Sequence, residues 1–190
     1  MCGIAGILSE KGSREEEVKK MLNKLLHRGP DEMAYWEDNQ FSAGMRRLSI
    51  NDVEGGSQPL FDSSGNLILF YNGEIYNYQK LKRELESDGI KFNSNCDGEV
   101  ICHLYAKYGE SFFSLLDGMF AISIWDKKKK VLLLARDFPG EKPLYYSILE
   151  KGGIAFSSEI NSLKECNEID KRLDSQSIWD MPTFLWVPEP

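Results

Sequence analysis

Short apolar segments separated by tight turns are the feature of this sequence that most limits its fold. Residues 119–125 and 131–135 flank a run of four lysines, and residues 144–149 and 154–156 flank a Lys-Gly-Gly turn. Each pair predicts a β-hairpin. Hairpins build antiparallel sheets, whereas parallel strands need long crossover connections. Because helical segments interrupt the other strands, the sequence predicts an α+β domain with helices packed on antiparallel sheets.

The spacing of apolar residues predicts the remaining elements. Leucines, Val18 and Met21 recur at helical spacing up to Leu26, which predicts an amphipathic helix that Gly29-Pro30 ends. Glycine-containing residues 52–59 predict a loop. Further helices are expected over 78–85, 101–108 and 159–164, and further strands over 2–8, 34–36, 41–45 and 67–71.

The C-terminal segment is unusually aromatic for a chain end. Two tryptophans and a phenylalanine lie among three prolines between residues 178 and 190, whereas chain ends are ordinarily polar. Two interpretations stay open: the segment packs on its own domain, or it begins a further unit. We predict a domain over residues 1–165 and a linker or the start of a synthetase domain over 166–190.

Composition excludes several function classes. The formal net charge of −7 argues against a general nucleic-acid-binding protein. The four cysteines and two histidines lack zinc-ligand spacing, so no metal site is expected. We find neither an apolar run long enough to span a membrane nor a secretory signal, and four cysteines are too few for a disulfide scaffold. The sequence therefore predicts a cytoplasmic protein with reduced thiols.

Cys2 directly follows the initiator methionine. Removal of Met1 would place its thiol beside a free α-amine, whose unperturbed pKa is about 7.7–8.0. An amine of that pKa can act as the general base for the thiol, so one residue could supply both groups. The alternative is a free cysteine that serves only as a small buried apolar residue.

Motifs along most of the chain resemble one family. They are similar to those of the class II glutamine amidotransferases, and in this order they most resemble the glutaminase domain of glutamine-dependent asparagine synthetase. The resemblance runs from Cys2 to at least Ile160. Its segments are Cys2-Gly3-Ile4-Ala5-Gly6, His27-Arg28-Gly29-Pro30-Asp31, Arg47-Leu48-Ser49-Ile50, Gln58-Pro59, Asn72-Gly73-Glu74-Ile75-Tyr76-Asn77, Asp97-Gly98-Glu99-Val100-Ile101, Gly118-Met119-Phe120-Ala121, Arg136-Asp137, Lys142-Pro143-Leu144-Tyr145-Tyr146 and Phe156-Ser157-Ser158-Glu159-Ile160.

The resemblance implies a fold and a set of site residues. The fold is the four-layer α/β/β/α arrangement of N-terminal-nucleophile hydrolases, with two stacked antiparallel sheets flanked by helices. Cys2 would attack the side-chain amide of L-glutamine and form a thioester. Donors for the oxyanion would be the Asn72 amide and the Gly73 backbone N–H. The substrate carboxylate would be bound by Arg47 with Ile50, and its ammonium by Asp97 with Glu74.

Each assignment has a structural alternative. Asn72-Gly73, which we place at the end of the 67–71 strand, could be a turn. By spacing alone Arg46 could replace Arg47, and Asp97 could be a helix N-cap. Arg28 and Asp31 are expected to shape the pocket, His27 and His103 to be structural, and Arg136 to form an ion pair with Asp137.

The resemblance also implies partners. Ammonia would pass to an ATP-using synthetase domain, attached or separate, so ATP and Mg²⁺ are expected there and no cofactor in this chain. The sequence departs from the family pattern at Met45, Pro139 and Glu141. An ammonia acceptor other than aspartate is therefore a further possibility. A non-catalytic domain that binds an amino acid or a partner, or another hydrolase of the same fold, are further alternatives. A homodimer is among the assemblies that the resemblance allows.

Overall fold

The computed structural model describes residues 1–49 and 56–187. Its first half contains five strands and two helices, and its second half holds four strands, three helices and a 3₁₀ helix. In chain order the elements are β1 (Gly3–Leu8), α1 (Glu15–Lys24), β2 (Glu32–Glu37), β3 (Phe41–Arg47), β4 (Leu60–Phe61), β5 (Leu67–Ile75), α2 (Tyr78–Ser87), α3 (Glu99–Tyr108), the 3₁₀ helix Gly109–Leu115, β6 (Gly118–Asp126), β7 (Val131–Arg136), β8 (Tyr145–Ile148), β9 (Ile154–Ser157), α4 (Ile160–Leu163) and α5 (Ser175–Phe184).

The strands form two fully antiparallel sheets. The first has the order β2-β3-β1-β9-β8, and the second has the order β4-β5-β6-β7. Both predicted hairpins are present, as β6–β7 and β8–β9. The N-terminal strand β1 is the central strand of the first sheet, between β3 and β9.

Three layers of apolar packing hold the fold together. Side chains between the two sheets include Phe41, Trp125 and Phe156, with Trp125 stacked on Phe41 at a centroid distance of 5.4 Å. A second cluster joins the first sheet to α1 and α4, and a third joins the second sheet to α2, α3 and the 3₁₀ helix. The predicted four-layer α/β/β/α architecture is therefore confirmed.

Strand alternation decides which side chains face the space between the sheets. On β5, Ile68 and Phe70 face the other sheet, whereas Leu67, Leu69 and Tyr71 face the helices. The same period of two places Phe41, Ala43 and Met45 of β3 between the sheets. On each strand, the next inward-facing residue after the apolar ones lies at the end of the sandwich, and these residues determine the chemistry there.

Several predicted boundaries were wrong. Helix α1 ends at Lys24, before Gly29-Pro30, because residues 25–28 form turns in which Leu25 and Arg28 donate to Leu22 and Leu25 carbonyls. Helix α5 was not predicted from the sequence. Asp174 caps it by accepting a hydrogen bond from the Ser177 N–H. None of the α5 residues is buried, so this helix does not pack into the core of its own domain. Cys166 and Ile169, just before it, do contact the α1 cluster, and the boundary near residue 165 stays a prediction.

Candidate active site

The candidate site lies where the apolar layer between the sheets ends. Cys2 continues the row of Ile4 at the start of β1, and Arg47 continues the row of Met45 at the end of β3. Asn72 continues the row of Phe70 on β5 of the opposite sheet. Three polar side chains, contributed by both sheets, therefore lie next to the apolar core at one end of the sandwich.

A cavity of about 130 Å³ opens at this end. It brings together most of the residues that the sequence predicts for the site. Its walls are formed by Met1, Cys2, Arg47, Leu48, Gly56, Gln58, Tyr71, Asn72, Gly73, Glu74, Cys96, Asp97, Met119 and Lys142. Ile50 falls outside the described residues.

Backbone contacts position Cys2 on both sides. The Leu48 N–H lies 3.4 Å from the Cys2 sulfur, and the thiol lies 3.6 Å from the Leu48 carbonyl. The Arg28 Nε donates to the Cys2 carbonyl at 2.9 Å, and its Nη1 pairs with Glu159 at 3.0 Å. Burial raises the pKa of Glu159, but hydrogen bonds from Arg28 and His27 outweigh it and leave that pKa below its usual value. Arg28 thus links the start of β1 to the residues after β9.

Asn72 and Gly73 do not follow the strand, as the sequence analysis expected, but lie inside it. β5 continues to Ile75, and Asn72 and Gly73 pair with Ala121 and Phe120 of β6. The turn alternative is therefore wrong. Asn72 is 2% exposed, and its side-chain Nδ2 is buried without a hydrogen-bond partner among the described residues. Buried amide donors are nearly always paired, so this donor is available for a ligand.

Gly73 is required by the approach of the neighbouring strand. A Cβ at this position would lie 2.2 Å from the Met119 carbonyl oxygen and 2.8 Å from the Phe120 Cα. Both are backbone atoms of β6, which cannot move without breaking the ladder. Close packing of the strands thus gives a structural reason for Gly73 beside its expected role as an oxyanion donor.

Asp97 is a buried acceptor and not a helix cap. Gly98 occupies the N-cap of α3, and no side-chain hydrogen bond caps that helix. One Asp97 oxygen accepts from the Tyr71 hydroxyl and the Ile75 N–H, both at 2.8 Å. Burial, followed by the charge of Asp97, raises the pKa of Tyr71 far above its usual value, so the phenol stays protonated and donates.

The strand register distinguishes Arg47 from Arg46. The Arg46 guanidinium turns to helix α1, where it donates to the Leu22 carbonyl at 3.2 Å and to Asn23 at 2.9 Å. Arg47 is buried, lines the cavity and pairs with Glu32 at 3.2 Å. Alternation along β3 therefore places Arg47, and not its neighbour, in the cavity wall.

Arg28 and Asp31, which were expected to shape the pocket, are not among the residues that line the cavity. Asp31 accepts from the Ser49 N–H at 2.8 Å. The two histidines, which were expected to be structural, also lie outside the cavity wall, and His27 lies 2.9 Å from Glu159 on the surface. His103 is buried, with its Nε2 3.6 Å from Glu99 and its ring edge-on to Phe92.

The predicted Arg136–Asp137 ion pair is absent from the described part of the chain. Asp137 instead accepts backbone N–H groups from Phe120, Glu141 and Lys142. Burial raises the pKa of Asp137, but these hydrogen bonds lower it by more, so the carboxylate remains charged and orders the turn.

Several residues in the cavity wall were not assigned to the site from the sequence, and Gln58 and Lys142 are two polar ones among them. Gln58 exchanges two hydrogen bonds with the Tyr71 backbone, at 2.7 and 2.8 Å, and so extends the edge of the sheet. Lys142 is buried and lines the cavity although it lies in a loop. Both residues belong to segments that resemble the family, and this resemblance was the only indication in the sequence that they could lie at the site.

Residues 1–49 and 56–187 contain no cluster of three or more histidine, cysteine, aspartate or glutamate side chains suited to hold a metal ion. Within the same ranges no helix has the length and hydropathy to cross a membrane.

Comparison with known proteins identifies relatives of this chain. Asparagine synthetase [glutamine-hydrolyzing] 1 of Bacillus subtilis is 42% identical over the whole chain, and asparagine synthetase 2 of that organism is 43% identical over 86% of it. A probable asparagine synthetase of Dictyostelium discoideum is 38% identical over 87%. The chain spans only 22–30% of the length of these relatives.

Solved structures support the same fold. Glutamine phosphoribosylpyrophosphate amidotransferase of B. subtilis matches with a TM-score of 0.71 and 24% identity, over 86% of this chain and 43% of that one. The family model described as "Glutamine amidotransferase domain" matches residues 1–190. The resemblance found in the sequence is thereby confirmed, and the chain belongs to the class II glutamine amidotransferase domain family.

Proposed function

We propose that this chain hydrolyses the side-chain amide of L-glutamine and releases glutamate and ammonia. The observation that carries the proposal is the buried, unpaired amide of Asn72 in the wall that also contains the Cys2 thiol. Oxyanion stabilisation needs a donor held ready and unoccupied in the resting site. Asn72 has that property, and the paired strand that carries it fixes its position.

The reaction would proceed in two steps after Met1 is removed. In the first step the Cys2 sulfur bonds to the amide carbon, and its proton passes to the α-amine. The carbon–nitrogen bond then breaks, and the departing nitrogen takes that proton and leaves as ammonia. In the second step water attacks the thioester, which releases glutamate and restores the thiol. The Asn72 amide and the Gly73 N–H would stabilise the oxyanion of each tetrahedral intermediate.

The two charged ends of glutamine would be bound by opposite walls. The Arg47 guanidinium suits the carboxylate, because its planar fork can donate two parallel hydrogen bonds. Asp97 suits the ammonium, since one of its oxygens is already oriented by Tyr71 and Ile75. Glu74 lines the same cavity and would add negative charge at the ammonium end. Ile50 remains a predicted contact to the carboxylate.

The wider role concerns the ammonia. The relatives are named asparagine synthetases that hydrolyse glutamine, and they are about three to four times as long as this chain. We propose that ammonia passes to an ATP- and Mg²⁺-dependent synthetase unit, with aspartate as the acceptor, in the cytoplasm. The exposed aromatic α5 is a candidate connection to that unit. No cofactor is expected in the domain described here, and a homodimer stays a prediction.

A glutamine-mimicking electrophile tests the glutaminase proposal. Diazo-oxo-norleucine should add once to the purified chain that lacks Met1, and peptide mass analysis should place the adduct on Cys2. Excess L-glutamine should slow the addition, whereas D-glutamine should not. The variant Cys2→Ala should remain unmodified, which controls for reaction at Cys96 in the same cavity. An adduct elsewhere, or no protection by L-glutamine, would contradict the proposal.

A further inference from the structure

Lys142 is the one buried lysine among the described residues. It is 8% exposed, although lysine side chains are almost never buried unless they are paired. Its ammonium has no carboxylate within 4.0 Å in residues 1–49 and 56–187. A charge held in this way lowers stability, so its retention points to a use in the site.

The turn around Asp137 fixes Lys142 in place. The Lys142 N–H donates to Asp137 at 3.0 Å, and the same carboxylate accepts from Glu141 and from Phe120 of β6. The backbone of the lysine is thereby tied to the second sheet beside β5. Its side chain reaches across to the N-terminus of the first sheet.

The end of that side chain lies at the position that Met1 must vacate. Its Nζ is 3.8 Å from the Met1 sulfur, and both residues line the cavity with Cys2. Removal of Met1 would take away this contact and convert the Cys2 nitrogen into a free α-amine at the same end of the cavity. A positive charge nearby disfavours protonation of such an amine.

We propose that Lys142 is a positioning residue of the glutaminase, whose buried ammonium keeps the freed α-amine of Cys2 uncharged so that it can accept the thiol proton. This inference rests on the proposed function. The other titratable groups in the cavity wall are Arg47, which pairs with Glu32, and Tyr71, Glu74, Cys96 and Asp97. Arg28, which donates to the Cys2 carbonyl, pairs with Glu159, and Asp137 accepts from the Lys142 N–H. All of these groups are unchanged in the variants compared below.

The pH profile of kcat/KM for glutamine hydrolysis tests the proposal. In Lys142→Met the acidic limb should move up by about one pH unit, so that activity falls about tenfold at pH 6.5 and recovers above pH 9. Lys142→Arg keeps the charge and should keep the parent profile. Lys128→Met, in the exposed β6–β7 turn, controls for a change in net charge. A uniform loss of activity at every pH would mean that Lys142 is only structural and would overturn the proposal.

Thermal unfolding followed by circular dichroism reports whether each variant is folded. A parent chain that does not hydrolyse glutamine would refute the proposed function, whereas an unchanged pH profile of kcat/KM in folded Lys142→Met would refute the role of Lys142.

Discussion

The cavity end of the sandwich and the C-terminal helix α5 are both unusual in burial, but in opposite ways: the first buries polar side chains, and the second exposes apolar ones. Around the cavity, polar side chains such as Asn72, Asp97 and Arg47 are buried. On α5, large apolar side chains are exposed, with Trp179 at 73%. Neither arrangement stabilises the fold. Burying the polar side chains costs the free energy of their desolvation, and exposing the apolar ones gives up the free energy of their burial. We therefore expect substitutions in the first region to affect chemistry and those in the second to leave both chemistry and stability almost unchanged.

Cys2→Ala should give the largest effect, because it removes the proposed nucleophile from the cavity. We expect glutamine hydrolysis to fall by about 10⁴-fold or more. The free energy of unfolding should change little, since the thiol lies at the edge of the apolar layer and its hydrogen-bond contacts among the described residues are with the Leu48 backbone. Cys96→Ala, in the same cavity, is the matched control and should retain activity within a few-fold. Glutamate release by Cys2→Ala at the parent rate would falsify the mechanism.

Asn72→Ala tests the unpaired donor. Its amide would act on the oxyanion and not on the ground-state carbonyl, so kcat should fall by about 100-fold with a small change in KM. The control is Asn77→Ala, which lies in the same motif but bonds the Leu115 carbonyl and the Asp117 N–H. A raised KM with unchanged kcat would instead make Asn72 a ground-state binding residue.

Arg47→Lys tests the assignment by strand register. Loss of the bidentate fork should raise the KM for glutamine by about tenfold or more, at nearly constant kcat. The neighbouring Arg46→Lys should change that KM by less than about twofold, because Arg46 contacts helix α1. Equal effects in the two variants would mean that the cavity does not bind the substrate carboxylate through Arg47.

Trp179→Ala should give the smallest effect. Substitution of an exposed residue ordinarily changes the free energy of unfolding by less than about 0.5 kcal/mol. The same substitution at Trp125, which is 1% exposed and stacks on Phe41 between the sheets, should cost about 3–5 kcal/mol. Urea unfolding of both variants measures the contrast. A large loss at Trp179 would show that α5 packs on the domain in solution.

Patterns of short range predicted much of the fold. The two hairpins and most strands follow from alternation and turn residues, which act over a few positions. The short strand β4 and helix α5 were missed, since two residues carry no period and Pro182 lies inside the helix. The extension of β5 through Asn72-Gly73 was missed because this dipeptide favours turns, and pairing with β6 overrides that preference.

The site was predictable to a different extent. The family resemblance named Cys2, Arg47, Asn72 and Asp97, and the structure brings all four to one cavity. Lys142 was not recognised as a cavity residue, because its burial depends on a turn that Asp137 orders from across the loop. Contacts between residues that are distant in sequence leave no local pattern in the chain, and such contacts complete this site.

The central position of β1 has a consequence for how the domain is made. The strand that follows the nucleophile pairs with β3 on one side and with β9 on the other, and the Ile4 N–H donates to the Ser158 hydroxyl, 154 residues away. During synthesis from the N-terminus, β1 therefore waits for its second neighbour until almost the whole domain has emerged from the ribosome. Through that interval the chain is open to the aminopeptidase that the proposed removal of Met1 requires. The proposed processing of the N-terminus therefore has time to precede the enclosure of the Cys2 thiol between the sheets.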